Sequence, residues 1–282
     1  MDIISAAEGY LLLHARLLDR LRFEALYRGG DRRRVLDVLR GYQNADGGFG
    51  HAIEPDMRGA GSQPETVEVA FHILDELGAF DDPMVGRACA YLESITTKEG
   101  GVPFVLPSVR DTPRAPWWQS DDDPPAGLVP TASIAGLLHK HGSTHPWLGP
   151  ATAFCWEAIA AITDETTPYE ARAVFTFLDL VDDRERAEAE FARVRDALLA
   201  TVSLEPDAPG AAHYPLDFAP APTRLPLFTP EVLDRHLDAL VASQSDGGWH
   251  GNWTMWTPIV EHEWGGYLTV GKLNTLRAYG RL

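Results

Sequence analysis

Apolar residues recur along this chain at helical spacing, and no run alternates strictly as a half-buried strand does. Val35, Leu36, Val38, Leu39 and Tyr42 trace one face of a helix, and Val232, Leu233, Leu237, Leu240 and Val241 trace another. Read over its length, the chain is expected to form about ten helices, roughly 6–28, 32–44, 65–78, 84–96, 129–141, 147–162, 169–181, 184–202, 230–243 and 267–280. Several starts carry a cap signature, with Asp82-Pro83, Thr167-Pro168 and Thr229-Pro230 as examples. The oxygen of the first residue accepts from free helix amides, and proline at the first helical position wastes no donor. The expected fold is all-α, in a single domain over 1–282, with the Pro-rich segment 203–228 as a long connection inside it.

An internal repeat organises these helices. Asp46-Gly47-Gly48-Phe49, Glu99-Gly100-Gly101-Val102 and Asp246-Gly247-Gly248-Trp249 share an acidic residue, two glycines and an apolar residue. Their spacing suggests a unit of about 50 residues, each a helical hairpin. About five hairpins then fit the chain. Links from a second helix to the next first helix look short, at Gly78 to Pro83 and Gly142 to Pro146. Three links within hairpins look long, at about 45–64, 97–128 and 244–266. In a ring of antiparallel hairpins, links of one type lie at one end, and loops this long in a compact domain are usually functional.

The segment Gln43-Asn44-Ala45-Asp46-Gly47-Gly48-Phe49-Gly50 resembles the repeat shared by squalene-type cyclases and protein prenyltransferase β-subunits. Gln244-Ser245-Asp246-Gly247-Gly248-Trp249 resembles a second copy, one residue shorter between Gln and Gly. The resemblance implies an α/α toroid in which such motifs tie outer helices together and perform no chemistry. It extends to function only in part. The prenyltransferase zinc site needs a cysteine closely following an aspartate, and neither Cys89 nor Cys155 has that setting. Alkene-protonating cyclases use Asp-x-Asp-Asp, and the similar place here reads Ser120-Asp121-Asp122-Asp123, with serine for the first aspartate.

Charge and cysteine content narrow the classes. A formal net charge of −17 argues against non-specific nucleic-acid binding, which needs clustered Lys and Arg. The two cysteines lie in apolar helical patterns and read as free thiols of a reducing compartment. The N-terminus shows no secretory signal and no stretch of 18 apolar residues occurs, so a cytoplasmic chain without a membrane span is expected.

Three clusters carry the candidate chemistry. Asp121, Asp122 and Asp123 follow Trp117 and Trp118; a protonated carboxyl beside aromatic faces suits alkene protonation, because the rings stabilise the cation that follows. A solvated acidic loop is the plainer reading. His51, Glu54, Asp56 and Arg58 follow the first repeat motif and are compatible with acid/base work or a divalent metal, or with a hydrogen-bonded loop brace. Glu65 and Glu68 follow nearby, Glu65 reading equally well as a first-turn acid. The third cluster runs from Trp249 to Tyr267. Trp253, Trp256, Trp264 and Tyr267 suit an apolar or sugar-stacking wall, or a plug closing the ring, and Glu261 and His262 add ionisable groups.

The leading expectation is a terpenoid-cyclase-like enzyme acting on an apolar, isoprenoid-type small molecule by acid/base chemistry at one Trp-rich mouth, with Asp122 or Asp123 as the acid. No cofactor is required by any motif. The alternatives are a carbohydrate-active α/α-barrel hydrolase or lyase using carboxylates such as Glu54, Asp56, Asp121 and Glu261, and a non-catalytic toroid that binds a ligand or partner.

Overall fold

The computed structural model describes residues 2–206, 208, 210 and 213–282. Among them the chain forms twelve α-helices and no strand. They are α1 (Ile3–His14), α2 (Leu17–Tyr27), α3 (Arg32–Arg40), α4 (Pro64–Glu76), α5 (Pro83–Ser94) and α6 (Leu128–Lys140), then α7 (Leu148–Ala160), α8 (Pro168–Leu180), α9 (Arg184–Leu199), α10 (Pro215–Phe218), α11 (Pro230–Ala242) and α12 (Pro258–Ala278). The caps act as their sequence suggests: Asp82, Thr167 and Thr229 each accept a backbone N–H of the first turn, with proline at the start of the helix. Arg32, Arg33 and Arg34 lie on an exposed face of α3, while Val35, Leu36 and Leu39 are buried.

The neighbour relations close into a circuit. Helix α4 packs on α6, α6 on α8, α8 on α10, and α12 on α2. Salt bridges complete the ring: Lys272 of α12 meets Asp217 of α10 at 3.1 Å, and Arg22 of α2 meets Glu76 of α4 at 2.5 Å. Each of these six inner helices has an outer companion, in the pairs α2·α3, α4·α5, α6·α7, α8·α9, α10·α11 and α12·α1. The core is continuous, since Leu26 and Leu233 pack against both of its large apolar clusters. No helix among the described residues is long and apolar enough to cross a membrane.

The glycine pairs are what hold the outer layer. A Cβ on Gly47 would lie 2.2 Å from the Arg87 carbonyl oxygen, one on Gly100 would lie 2.8 Å from that of Pro150, and one on Gly247 would lie 2.4 Å from that of Ala6. All three glycines have φ between 91° and 95°. The second glycines meet aromatic rings four residues further along the same outer helices: Gly48 on Tyr91, Gly101 on Phe154, Gly248 on Tyr10. Gln43 Nε2 and Gln244 Nε2 repeat a further contact, donating to Met84 O and Ile3 O respectively. Each repeat therefore seats on the next outer helix, and the last seats on the first. Threonines of the inner helices brace the residue after each pair: Thr66 donates to Phe49 O, and Thr131 and Thr269 accept from the amides of Val102 and Trp249.

Six hairpins, not about five, make the circuit, and two departures from the sequence reading account for the difference. The stretch 6–28 is two helices, because Ala15 and Arg16 are extended. Arg16 is held there by its bonds to Ala52 O, Ile53 O and Asp19, which turn the chain from outer α1 to inner α2. The connection 203–228 also contains α10, a single inner turn bearing the buried Leu216 and Phe218. A third departure concerns α12, which starts at Pro258 and not near 267. Gly265 and Gly266 read as loop residues, yet they sit in mid-helix where α1 crosses: a Cβ there would lie 2.1 Å from Tyr10 Oη and 2.8 Å from Ala15 Cβ.

Gly47→Ala introduces a Cβ against a carbonyl at a left-handed φ, and should lower unfolding free energy by about 2–5 kcal/mol. Gly61→Ala, where a Cβ meets nothing within 4 Å, is the matched control. Urea unfolding of both proteins checks this; equal midpoints would refute the hoop role of the pair.

Candidate functional site

The three long links meet at one end of the ring. In the first link, Arg58 N donates to Pro113 O at 3.0 Å and Asp56 O accepts from Ala115 N at 2.9 Å, both partners lying in the second. Gln63 adds bonds to Ser108 Oγ and Leu106 N. The third link and the start of α12 join the same junction. Arg58 pairs with Glu263, and Trp264 Nε1 donates to Asp56 Oδ2 at 3.1 Å. Trp256 packs on the small apolar cluster of Met57, Val105, Val109, Ala115 and Trp118.

The residues expected from sequence divide on this geometry. Glu54, Asp56, Arg58, Trp256, Trp264 and Tyr267 converge around the mouth and the ring interior. Trp253, partly exposed, packs edge-on against Trp264 with centroids 5.4 Å apart. Asp121, Asp122 and Asp123 are all exposed, and Asp122 pairs outward with Arg110 at 2.6 Å. They stand apart from the converging carboxylates, and Trp117 is exposed while Trp118 is spent in the apolar cluster. His51 is exposed and contacts Asn44 Oδ1, and the exposed His262 stacks on His14 at 5.2 Å. Glu261 is exposed on the first turn of α12. Among the described residues no group of three or more His, Cys, Asp or Glu is arranged to hold a metal ion.

The stronger cluster lies one level deeper. Glu65, Glu68, His72 and Glu76 fall on one stripe of inner helix α4, and their partners come from around the ring. Glu68 Oε1 lies 3.4 Å from His72 Nε2 and 4.0 Å from Arg172 Nη2 of α8. Arg172 in turn feels Glu65, Asp217 of α10 and Tyr267 of α12, and so sits among four inner helices. At the far end of the stripe, Arg22 makes 2.5 and 2.9 Å bonds to Glu76 and a 2.7 Å bond to Asp19, and lies over the Tyr267 ring. Arg172 keeps 33% of its side chain accessible, and His72 keeps 44%. Solvent therefore reaches this part of the stripe. A separate cavity of about 250 Å³ lies between the first two loops, beside Gly59, Gly61, Gln63 and Thr112, and none of Glu54, Asp56, Glu65 or Glu68 lines it.

Burial sorts these carboxyls by proton affinity. Desolvation, with repulsion from Asp56, pushes Glu54 up to about 8. Asp56 is raised by desolvation, against the pull of the Trp264 hydrogen bond. Glu65 is raised well above the ordinary range by desolvation and by the neighbouring Glu68. For Glu68 desolvation is outweighed by the His72 hydrogen bond, the Arg172 charge and the Ser133 hydrogen bond, and its pKa falls. The charged partners of the pair, His72 and Arg172, approach Glu68. Oε2 of Glu54, Glu65 and Glu68 are all buried without a protein partner.

Because Glu54 holds its proton more tightly folded than unfolded, its contribution to stability is full below about pH 4.5 and is lost as pH rises toward about 8. Urea midpoints should fall across that window, and fall less in Glu54→Gln. Identical pH slopes in the two proteins would contradict the assignment.

No family model matches this chain, and no curated protein matches it. Among solved structures, the chain is similar to a protein from Actinoplanes, with a TM-score of 0.63 at 15% identity over 99% of this chain and 98% of the other. At that identity the likeness establishes a shared fold across the full length of both chains.

Proposed function

We propose that this protein is a carbohydrate-active α/α-barrel enzyme, a hydrolase or lyase, with Glu65 as general acid and Glu68 as its ionised partner. The observation that carries this reading is a pair of carboxyls on adjacent turns of α4, each with a buried Oε2 lacking a protein partner, of which Glu68 stands 3.4 Å from His72 Nε2 and 4.0 Å from Arg172 Nη2. Environments that drive two titratable groups apart assign an acid and a base. Glu65 has a proton to give to a leaving oxygen; Glu68, with His72 Nε2 at 3.4 Å, accepts one or activates water. Their neighbours His72, Arg172, Asp217 and Tyr267 are ionisable or hydroxyl groups, which suits a hydroxylated ligand better than a hydrocarbon. Trp264 and Trp253 at the mouth offer ring faces for a sugar. An isoprenoid reading draws on the same tryptophans, but its acid would come from Asp121–Asp123, which lie exposed, with Asp122 paired to Arg110.

The test is reducing-end release from a panel of neutral and acidic polysaccharides. Glu65→Gln and Glu68→Gln should each lower the rate by about 10²–10⁴-fold while leaving the folded helical signal unchanged. A panel cleaved equally well by both variants would sink the assignment, and so would a panel that the native protein leaves intact.

A further inference from the structure

The cations inside the ring are not equivalent. Arg22 bridges Asp19 and Glu76 through three hydrogen bonds, with its guanidinium over Tyr267. Arg16 is bonded to Asp19 and to two carbonyls, and Lys272 to Asp217. Arg172 alone among these four donates no hydrogen bond to any described residue, and its carboxylate contact, Glu68, lies at 4.0 Å. It nevertheless lies among Glu65, Glu68, Asp217 and Tyr267 and keeps a third of its side chain accessible. A guanidinium that only neutralised Glu68 would close on it as Arg22 closes on Glu76. The planar fork of arginine matches a carboxylate through two parallel bonds. Arg22 shows that one arginine in this ring bridges two carboxylates; Arg172 has one at arm's length and an open edge.

We infer that Arg172 receives a carboxylate of the ligand, so that the sugar this site takes is an acidic one of the uronate type. The inference rests on the carbohydrate reading above and deepens it. A carboxylate seated on Arg172 lies beside Glu65 and Glu68, which places the neighbouring ring carbons and glycosidic oxygen within the reach of the acid/base pair. Glu65 favours such a ligand by remaining uncharged, whereas a second ionised carboxyl there would repel it. Arg172 is on this view a specificity residue that binds substrate and takes no part in proton transfer.

Calorimetric titration with glucuronate, glucose and acetate tests this on the full chain. The native protein should bind glucuronate about 10–100-fold more tightly than glucose, the range expected for charge-assisted bonds. Arg172→Met should lose that preference, and Arg172→Lys should keep part of it. Equal affinities in the native protein, or a preference that survives Arg172→Met, would overturn the inference and leave the carbohydrate reading standing. Acetate bound in an Arg172-dependent manner with neither sugar bound would overturn the acidic sugar and the carbohydrate reading together, leaving Arg172 a site for a small carboxylate. Binding of none of the three overturns both.

Discussion

A carbonyl oxygen and, four residues on, an aromatic ring can be met at van der Waals distance only by backbone that carries no side chains. The three glycine pairs supply that backbone, and the rest of the fold depends on the contact. It sets the spacing between one outer helix and the next, and it fixes where each loop leaves the outer layer to begin an inner helix. The braces from Thr66, Thr131 and Thr269 then set the inner helices at a common height. Measured from those threonines, α12 begins nine residues early, at Pro258 instead of 267. The extra turns carry Glu263 and Trp264 over the mouth, where they meet Arg58 and Asp56.

The interior of the ring is polar by construction. An inner helix that buried an apolar stripe there would fill the centre; α4 instead presents carboxyls and a histidine. Isolated charges in such a place would cost several kcal/mol each. The ring answers by pairing, with Arg22 between Asp19 and Glu76, Lys272 on Asp217, and Arg58 on Glu263. Where pairing is incomplete, protonation takes its place, as at Glu54 and Glu65.

Much of the architecture was legible in the sequence, because helical period, proline caps and glycine pairs are local signals. The motifs read as hoops, and hoops they are. The break at Ala15-Arg16 was not legible, since its cause is a guanidinium reaching Ala52 and Ile53, some 36 residues away. Gly265-Gly266 misled for the opposite reason: glycine commonly breaks a helix, but here it admits a crossing one. The convergence of the long loops followed from their lengths. The acids did not. Three adjacent aspartates are conspicuous in a loop, whereas Glu65, Glu68, His72 and Glu76 make a stripe at helical spacing along a helix whose other residues are mostly apolar. That stripe was available to be read, and a polar line on a buried helix is a stronger sign of a lined interior than a run of charge in a loop.

Closure of the ring joins the two extremes of the chain. Gln244 bonds to Ile3, 241 residues away, and Gly247 rests on Ala6. Every other hairpin finds its neighbour within the next stretch of sequence, so five of the six interfaces form as helices accumulate. The sixth waits until the last repeat is made, and until then α1 shows the unfilled side of Tyr10 to solvent. Contacts of such separation carry the largest loop-closure cost and form slowly. A nascent chain therefore passes through an open arc whose two ends expose matching surfaces. Two such arcs, meeting end to end, satisfy each other as well as one arc satisfies itself, so the seam that completes the monomer is also the place where this fold is open to domain exchange.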